Sequence, residues 1–407
     1  MAGTLETPLR HGISLLVLLL SGLYAAPLAA QTNAQRSQCN IAADPATVIR
    51  ACSAVILSSQ SSEQVSLALS NRAVAYEKRG QSDLAMADLT EAIKRDSRNP
   101  HAWVNRGNLY LARGDWDRAL ADFNQAIATH PNNSYAFGHR GDAYLIHGEP
   151  TRAIPDYDEA IRIDPKDANF FAHRGEAYRV QGDNDRAISD FDRAIAINGR
   201  LAPAYVDRGL ARADKRDYDR AIADFDSAIK LDPKSSLAFT RRGMTYEAKG
   251  AHDRALLDFS EALTLEPNSA VAYVSRGNVY QGQGQFDLAI ADYDRAVMIN
   301  PSDVEAYNDR ANTYARKGNY ERAIADYDQA LKINPGIPEV LANRGLAYLK
   351  AGQFAPAIAD FDVVLSKNAA DAHSMYNRGV AKKGMGDESG ADADIANARR
   401  LVPTVGN

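Results

Sequence analysis

The chain has 407 residues, 45% of them hydrophobic and 24% charged, and carries a formal net charge of −5, a composition typical of a folded chain rather than a disordered or collagenous one. Lys and Arg number 47 against 52 Asp and Glu, which excludes the dense basic surface of a nucleic-acid binder and gives no bulk attraction to anionic membranes. Two cysteines and eight histidines exclude metal-rich and disulfide-rich scaffolds, and at about 150 residues per domain the length suggests two to three domains.

The first element in chain order reads as an export signal over residues 1–30. Arg10 and His11 precede an apolar run from Ile13 to Ala26, and small residues follow at Ala25, Ala26, Ala29 and Ala30. A short positive region, a brief apolar core and a small-residue exit make up that pattern. The core is shorter than the about 20 residues a transmembrane helix needs, although an uncleaved anchor is the other reading. Cleavage is expected after Ala30, with Ala34 as the fallback. No cysteine lies at this region, so lipid modification is not expected. The mature chain is expected to have no transmembrane segment and to be periplasmic or secreted.

Residues 31–65 come next as an N-terminal segment holding both cysteines, Cys39 and Cys52. In an oxidising compartment such a pair reads as one disulfide, stabilising the fold by about 3 kcal/mol in the chain-entropy model. Two free thiols are the alternative; a structural zinc needs about four ligands, and no histidine lies nearby. Val48, Ile49, Cys52, Val55 and Ile56 form an apolar stripe, so residues 41–58 read as a half-repeat cap. The serine-rich stretch from Ser58 to Ser62 would connect this cap to the first full repeat copy.

From there a 34-residue period governs the chain. Arginine recurs at 72, 106, 140, 174, 208, 242, 276, 310, 344 and 378, aspartate from Asp88 to Asp394, and alanine from Ala85 to Ala391. A fixed period of this length means a stacked array rather than independent domains. In residues 100–133, Trp103, Gly107 and Tyr110 precede Gly114, and Ala119, Phe123, Ala126 and Pro131 come after it. Intervals of three and four predict two amphipathic helices, with the turn at Gly114 and a break at Pro131.

These residues resemble the tetratricopeptide repeat, whose signature is aromatic-x-x-x-Gly-x-x-Tyr, then Ala-x-x-x-Phe, then Pro. The resemblance covers ten copies: 66–99, 100–133, 134–167, 168–201, 202–235, 236–269, 270–303, 304–337, 338–371 and 372–405. Asn105-Arg106-Gly107 gives it a flavour similar to exported bacterial repeat proteins. It implies an all-α fold, a right-handed superhelical solenoid of ten helix-turn-helix hairpins. Copy 202–235 departs from the pattern, with Arg212 in place of tyrosine and Arg216 in place of the turn glycine, and a local irregularity is expected over 199–216. Asp392 and Arg399 make helix 387–401 read as the polar C-terminal cap that a terminal unit requires.

The recurring charges need partners wherever they are partly buried. Arg106 lies 18 residues after Asp88 and 16 before Asp122, so either could pair with it. We expect a structural ladder that includes Arg106, Arg140 and Arg174 with Asp122, Asp156 and Asp190; a row of anion-binding arginines is the alternative. No zinc-protease, nucleophile-elbow or phosphate-loop motif is present, so no catalytic residue, metal site or cofactor is expected. His139 and His173 share a register in adjacent copies and read as polar groove residues rather than metal ligands.

The resemblance also implies that the first helix of each hairpin lines a concave groove. On this chain that face carries His101, Asn105, Asn108, His139, Asp142, His173, Glu176 and Arg179, then Asn278, Asn308, Asn312 and Asn343. Asparagine offers both a donor and an acceptor, which suits a peptide backbone. The family's carboxylate clamp is absent, because Tyr135 and His139 stand at its basic positions. The expected function is a non-enzymatic scaffold that binds a peptide or protein; the alternative is an assembly subunit of a bacterial envelope complex.

Overall fold

The computed structural model describes residues 39–40 and 44–406; the expected export signal lies outside them. All regular structure among the described residues is helical, in twenty-one α-helices with no strand. The chain forms two compact units, one ending at Lys215 and the other starting at Arg216.

In the first unit the helices are α1 Pro45–Ser58, α2 Ser62–Glu77, α3 Ser82–Arg95, α4 Pro100–Ala112, α5 Trp116–Thr129, α6 Ser134–Ile146, α7 Pro150–Ile163, α8 Ala168–Val180, α9 Asn184–Ile197 and α10 Ala202–Asp214. The second holds α11 Tyr218–Leu231, α12 Ser236–Ala248, α13 His252–Leu265, α14 Ala270–Gly282, α15 Phe286–Ile299, α16 Val304–Arg316, α17 Tyr320–Ile333, α18 Pro338–Lys350, α19 Phe354–Lys367, α20 Ala372–Gly384 and α21 Glu388–Leu401. Within each unit every helix packs on the next in sequence, and each first helix also touches the first helix of the following hairpin.

Capping sets the boundaries. Asn99 accepts from the backbone N–H groups of His101 and Ala102 ahead of Pro100, and Asp115 accepts from that of Arg118 at the start of α5. Each of these bonds satisfies an amide that the helix leaves unpaired. Gly114 closes the intervening turn at φ +74°, a conformation that costs a residue with a Cβ more than it costs glycine. In copy 202–235 the same place is held by Arg216 at φ +62°, the one non-glycine residue with positive φ among those described. The preceding helix α10 keeps the usual 13 residues. Here the departure in sequence takes the form of backbone strain at a single residue.

The core is a series of small clusters, several of them shared between one hairpin and the helix after it. Val104, Ala119, Phe123 and Ala126 meet Ala136 and Ala143 of the next first helix. The ring of the second helix wedges under a small residue of the first: a Cβ built on Gly107 would lie 2.7 Å from Phe123, and one on Gly277 would lie 2.8 Å from Tyr293. In copy 304–337 Ala311, like Ala73 in copy 66–99, stands where the remaining copies have glycine, and both Ala311 and Tyr327 are buried.

Both array ends are covered. At the N-terminus α1 buries Val48, Ala51, Cys52 and Val55 against α2, and Cys39 is disulfide-bonded to Cys52. Asn71 donates from Nδ2 to the Cys39 carbonyl at 3.0 Å, so the disulfide loop is also tied to the first hairpin. Helix α2 begins at Ser62, capped by Ser61, a turn ahead of residue 66, where the repeat register starts. The segment expected to link cap and array is therefore partly helical. At the C-terminus Val405 turns back onto Ala372 and Ala398.

Candidate functional site

The arginines sit on the first helices, half-buried, and each guanidinium has a defined set of acceptors. Arg106 gives Nε and Nη2 to the two carboxylate oxygens of Asp122 at 2.8 Å each. Arg140 does the same to Asp156 at 2.7 and 2.6 Å, and Arg174 to Asp190 at 2.8 Å. Between the two spacings the sequence leaves open, the partner is thus the aspartate 16 residues on, in the arginine's own hairpin. A two-pronged pair of this kind fixes geometry as well as charge.

The remaining nitrogen reaches backwards. Arg140 Nη1 donates to Asn124 Oδ1 at 2.7 Å and Arg174 Nη1 to Asp158 Oδ1 at 2.6 Å, in each case on the second helix of the preceding copy. The pattern recurs at Arg310 with Asp294, Arg344 with Asp328 and Arg378 with Asp362. At the N-terminus Ser53 of α1 takes this role for Arg72 at 2.8 Å, which shows α1 acting as a second helix. Aspartate hydrogen bonds raise the Arg174 guanidinium above its ordinary value against the opposing effect of burial. With their forks occupied, these arginines are poorly placed to receive a ligand anion.

The residues expected to line a groove fall into separate groups. In the first unit Asn105, Asn108, His139, Asp142 and Arg179 are all buried. Asp142 gathers three side chains: His173 Nδ1 lies 2.7 Å from Oδ1, His139 Nδ1 lies 3.5 Å from Oδ2, and the Tyr157 hydroxyl donates to Oδ1 at 2.9 Å. Burial pushes the Asp142 carboxyl up, but His173 and His139 outweigh it and hold it well below the usual carboxylate range. His173 is lowered by burial and raised more strongly by Asp142, with a net rise. The two histidines thus turn toward a shared carboxylate. Arg179 gives Nε and Nη2 to Glu176 at 2.7 Å each.

His101 lies elsewhere, in a cleft of about 610 Å³ between copy ends lined by His130, Asn133, Tyr135 and Asp164. Burial, with a contribution from His130, lowers His101 to about 4.

In the second unit Asn312 and Asn343 line a cavity of about 490 Å³ together with Arg316, Tyr327, Glu339 and Lys350. Asn312 Oδ1 accepts from the Tyr327 hydroxyl at 2.6 Å, and Asn278 Oδ1 accepts from Tyr293 at 2.6 Å. Asn343 Nδ2 reaches Asn308 Oδ1 at 3.4 Å. Two carboxyls here are pushed up to about 7: Glu247 by burial, and Asp309 by burial and then by Glu305, Glu339 and Asp303.

Reading the sequence residue by residue misses these tyrosine hydroxyls. The available signal was the ring position: tyrosine occurs at 157, 293 and 327, where the groove residue 15 earlier is Asp or Asn.

A family model described as tetratricopeptide repeat matches residues 70–134, 104–168, 140–205, 206–270 and 274–338, more than half of the chain. The chain belongs to the tetratricopeptide repeat family. Its repeats have the fold of a tetratricopeptide repeat protein from Parabacteroides merdae, 22% identical, with a TM-score of 0.51 over 63% of this chain and 99% of that one. YrrB, described as a TPR protein with an unusual peptide-binding site, is 23% identical, covering 45% of this chain and 95% of its own, at TM-score 0.37. PilW, described as a widely conserved type IV pilus biogenesis factor, is 22% identical, covering 51% and 96%, at TM-score 0.46. No curated protein matches the sequence. Tetratricopeptide repeats generally mediate protein–protein interactions rather than catalysis. No described helix is long and apolar enough to cross a membrane.

Proposed function

We propose that this tetratricopeptide repeat protein is an exported, non-enzymatic scaffold that binds a peptide or protein segment along the face formed by the first helices. One observation carries the reading: the cavity where Asn312 and Arg316 from α16 meet Glu339, Asn343 and Lys350 from α18. Consecutive copies there contribute neutral amides and both signs of charge to one concavity, which suits a polypeptide with mixed polar groups. Binding would be the sum of small increments from successive hairpins. The Cys39–Cys52 disulfide supports an oxidising, extracytoplasmic compartment.

The test places a photo-crosslinking residue in the exported full chain, at Asn343 in the cavity or at Leu257, which is 71% exposed on a second helix. Protein adducts formed from position 343 and absent from 257 are expected. Adducts confined to 257 would favour an assembly subunit that uses its outer face.

A further inference from the structure

Five first helices carry an amide or carboxylate immediately after the close-approach glycine or alanine: Asn108, Asp142, Glu176, Asn278 and Asn312. Three of them face a tyrosine and accept its hydroxyl: Asp142 from Tyr157, Asn278 from Tyr293 and Asn312 from Tyr327. Glu176 belongs to a copy with Phe191 and is bound by Arg179 instead. Asn108 belongs to a copy with Phe123 and has neither. The residue is 6% exposed, and both Oδ1 and Nδ2 lack a hydrogen-bond partner in the protein.

A buried polar group left unmet is costly, so a ligand that meets both groups recovers that cost. Phe123 is also the ring on which the next groove residue rests: His139 stacks at 6.3 Å between centroids, with 17° between planes, and Nε2 of that histidine has no hydrogen bond. Unpaired donor and acceptor capacity therefore continues from Asn108 into the next copy.

Resting on the peptide-binding reading above, we propose that Asn108 is the residue that grips a main-chain amide of an extended polypeptide, and that phenylalanine at 123 is what leaves it free. A peptide unit matches the asparagine amide, its C=O accepting from Nδ2 and its N–H donating to Oδ1. Both amide atoms lie below the surface, so the side chain turns toward the groove on binding. No hydrogen bond holds Asn108 back from that rotation, whereas Oδ1 of Asn278 and of Asn312 is tethered to a tyrosine hydroxyl. The choice between tyrosine and phenylalanine on the second helix thus sorts groove residues into those the fold retains and one it offers.

The test uses the full oxidised chain and an array of capped random-sequence octapeptides, with the binders found on the wild type titrated against three variants. Phe123→Tyr installs the ring already buried at 157, 293 and 327. It is expected to raise the urea midpoint, because its hydroxyl meets Asn108, and to weaken the octapeptides about fivefold, the equivalent of one hydrogen bond. Asn108→Leu, the residue found in this register at Leu210 and Leu346, is expected to weaken them similarly. Tyr327→Phe, which frees Asn312, is expected not to weaken them.

An unraised midpoint in Phe123→Tyr would show that the hydroxyl does not reach Asn108, and would overturn the proposal. A raised midpoint with unchanged octapeptide affinity would remove Asn108 from the binding site while leaving the groove reading intact. Failure of every octapeptide to bind the wild type would overturn both.

Discussion

Arg174 and Asp190 form a two-pronged ion pair between the two helices of one hairpin, with Nε and Nη2 each 2.8 Å from a carboxylate oxygen. The side chains are 20% and 10% exposed, so removing one leaves the other charge largely desolvated. Arg174→Ala is expected to destabilise the first unit by about 3 kcal/mol. Asp158, the same arginine's other partner, is 52% exposed, and Asp158→Ala is expected to cost under about 1 kcal/mol. Urea midpoints of the two variants check the contrast; equal losses would mean the hairpin pair has no special weight.

The N-terminal cap depends on a covalent loop. Reducing Cys39–Cys52, or replacing both cysteines by serine, is expected to loosen α1 by about 3 kcal/mol. Neighbour-only contacts in a repeat array let an end open by itself. Amide exchange should therefore accelerate in α1 and α2 and stay unchanged beyond α5. Uniform acceleration through the first unit would refute a local cap.

Arg216 occupies the left-handed backbone region at φ +62°. That conformation costs a residue with a Cβ about 1 kcal/mol, and glycine holds the same turn position in the other copies. Arg216→Gly is expected to raise stability by up to about 1 kcal/mol, reduced by the extra chain entropy glycine brings to the unfolded state. Thermal unfolding checks the sign, and a lower midpoint would show that the arginine side chain outweighs the strain.

Glu247 and Asp309, both at about 7 in the folded chain, predict an unusual acid profile for the second unit. From about pH 4.5 to 7 the folded state keeps protons that the unfolded state has released. Stability therefore falls as pH rises through that window, by up to roughly 1.4 kcal/mol per pH unit for each group, and levels off above it. Asp309→Asn is expected to flatten part of this slope. Asp142 in the first unit acts in the opposite sense: its depressed carboxyl contributes stability above about pH 4 that is lost on further acidification. Urea midpoints measured from pH 3 to 8 on wild type and Asp309→Asn check both signs.

Much of the hairpin is legible in the residues. The 34-residue step of arginine, aspartate and alanine, Gly114 at the turn and the Gly107–Phe123 pairing of small with large all reflect helical spacing and turn chemistry; helix α2 starts a turn ahead of that register, at Ser62. The groove is less legible. Asn312 and Asn108 share a register, and only the ring 15 residues on, Tyr327 or Phe123, separates them: one accepts a tyrosine hydroxyl and the other has no partner. His139 and His173, equivalent by register, both turn to Asp142, which the polar character of their positions does not reveal.

The sequence by itself determined the repeat and the family, because these depend on local periodicity and on residues whose effect is confined to their own turn. The tertiary structure decided which aspartate each arginine takes, which side chain of the preceding copy holds the remaining nitrogen, and which first-helix amides are already engaged. Those outcomes depend on which faces of neighbouring helices meet across a few ångströms. Residues 15 or 16 apart become partners only when the turn has folded one helix back against the other.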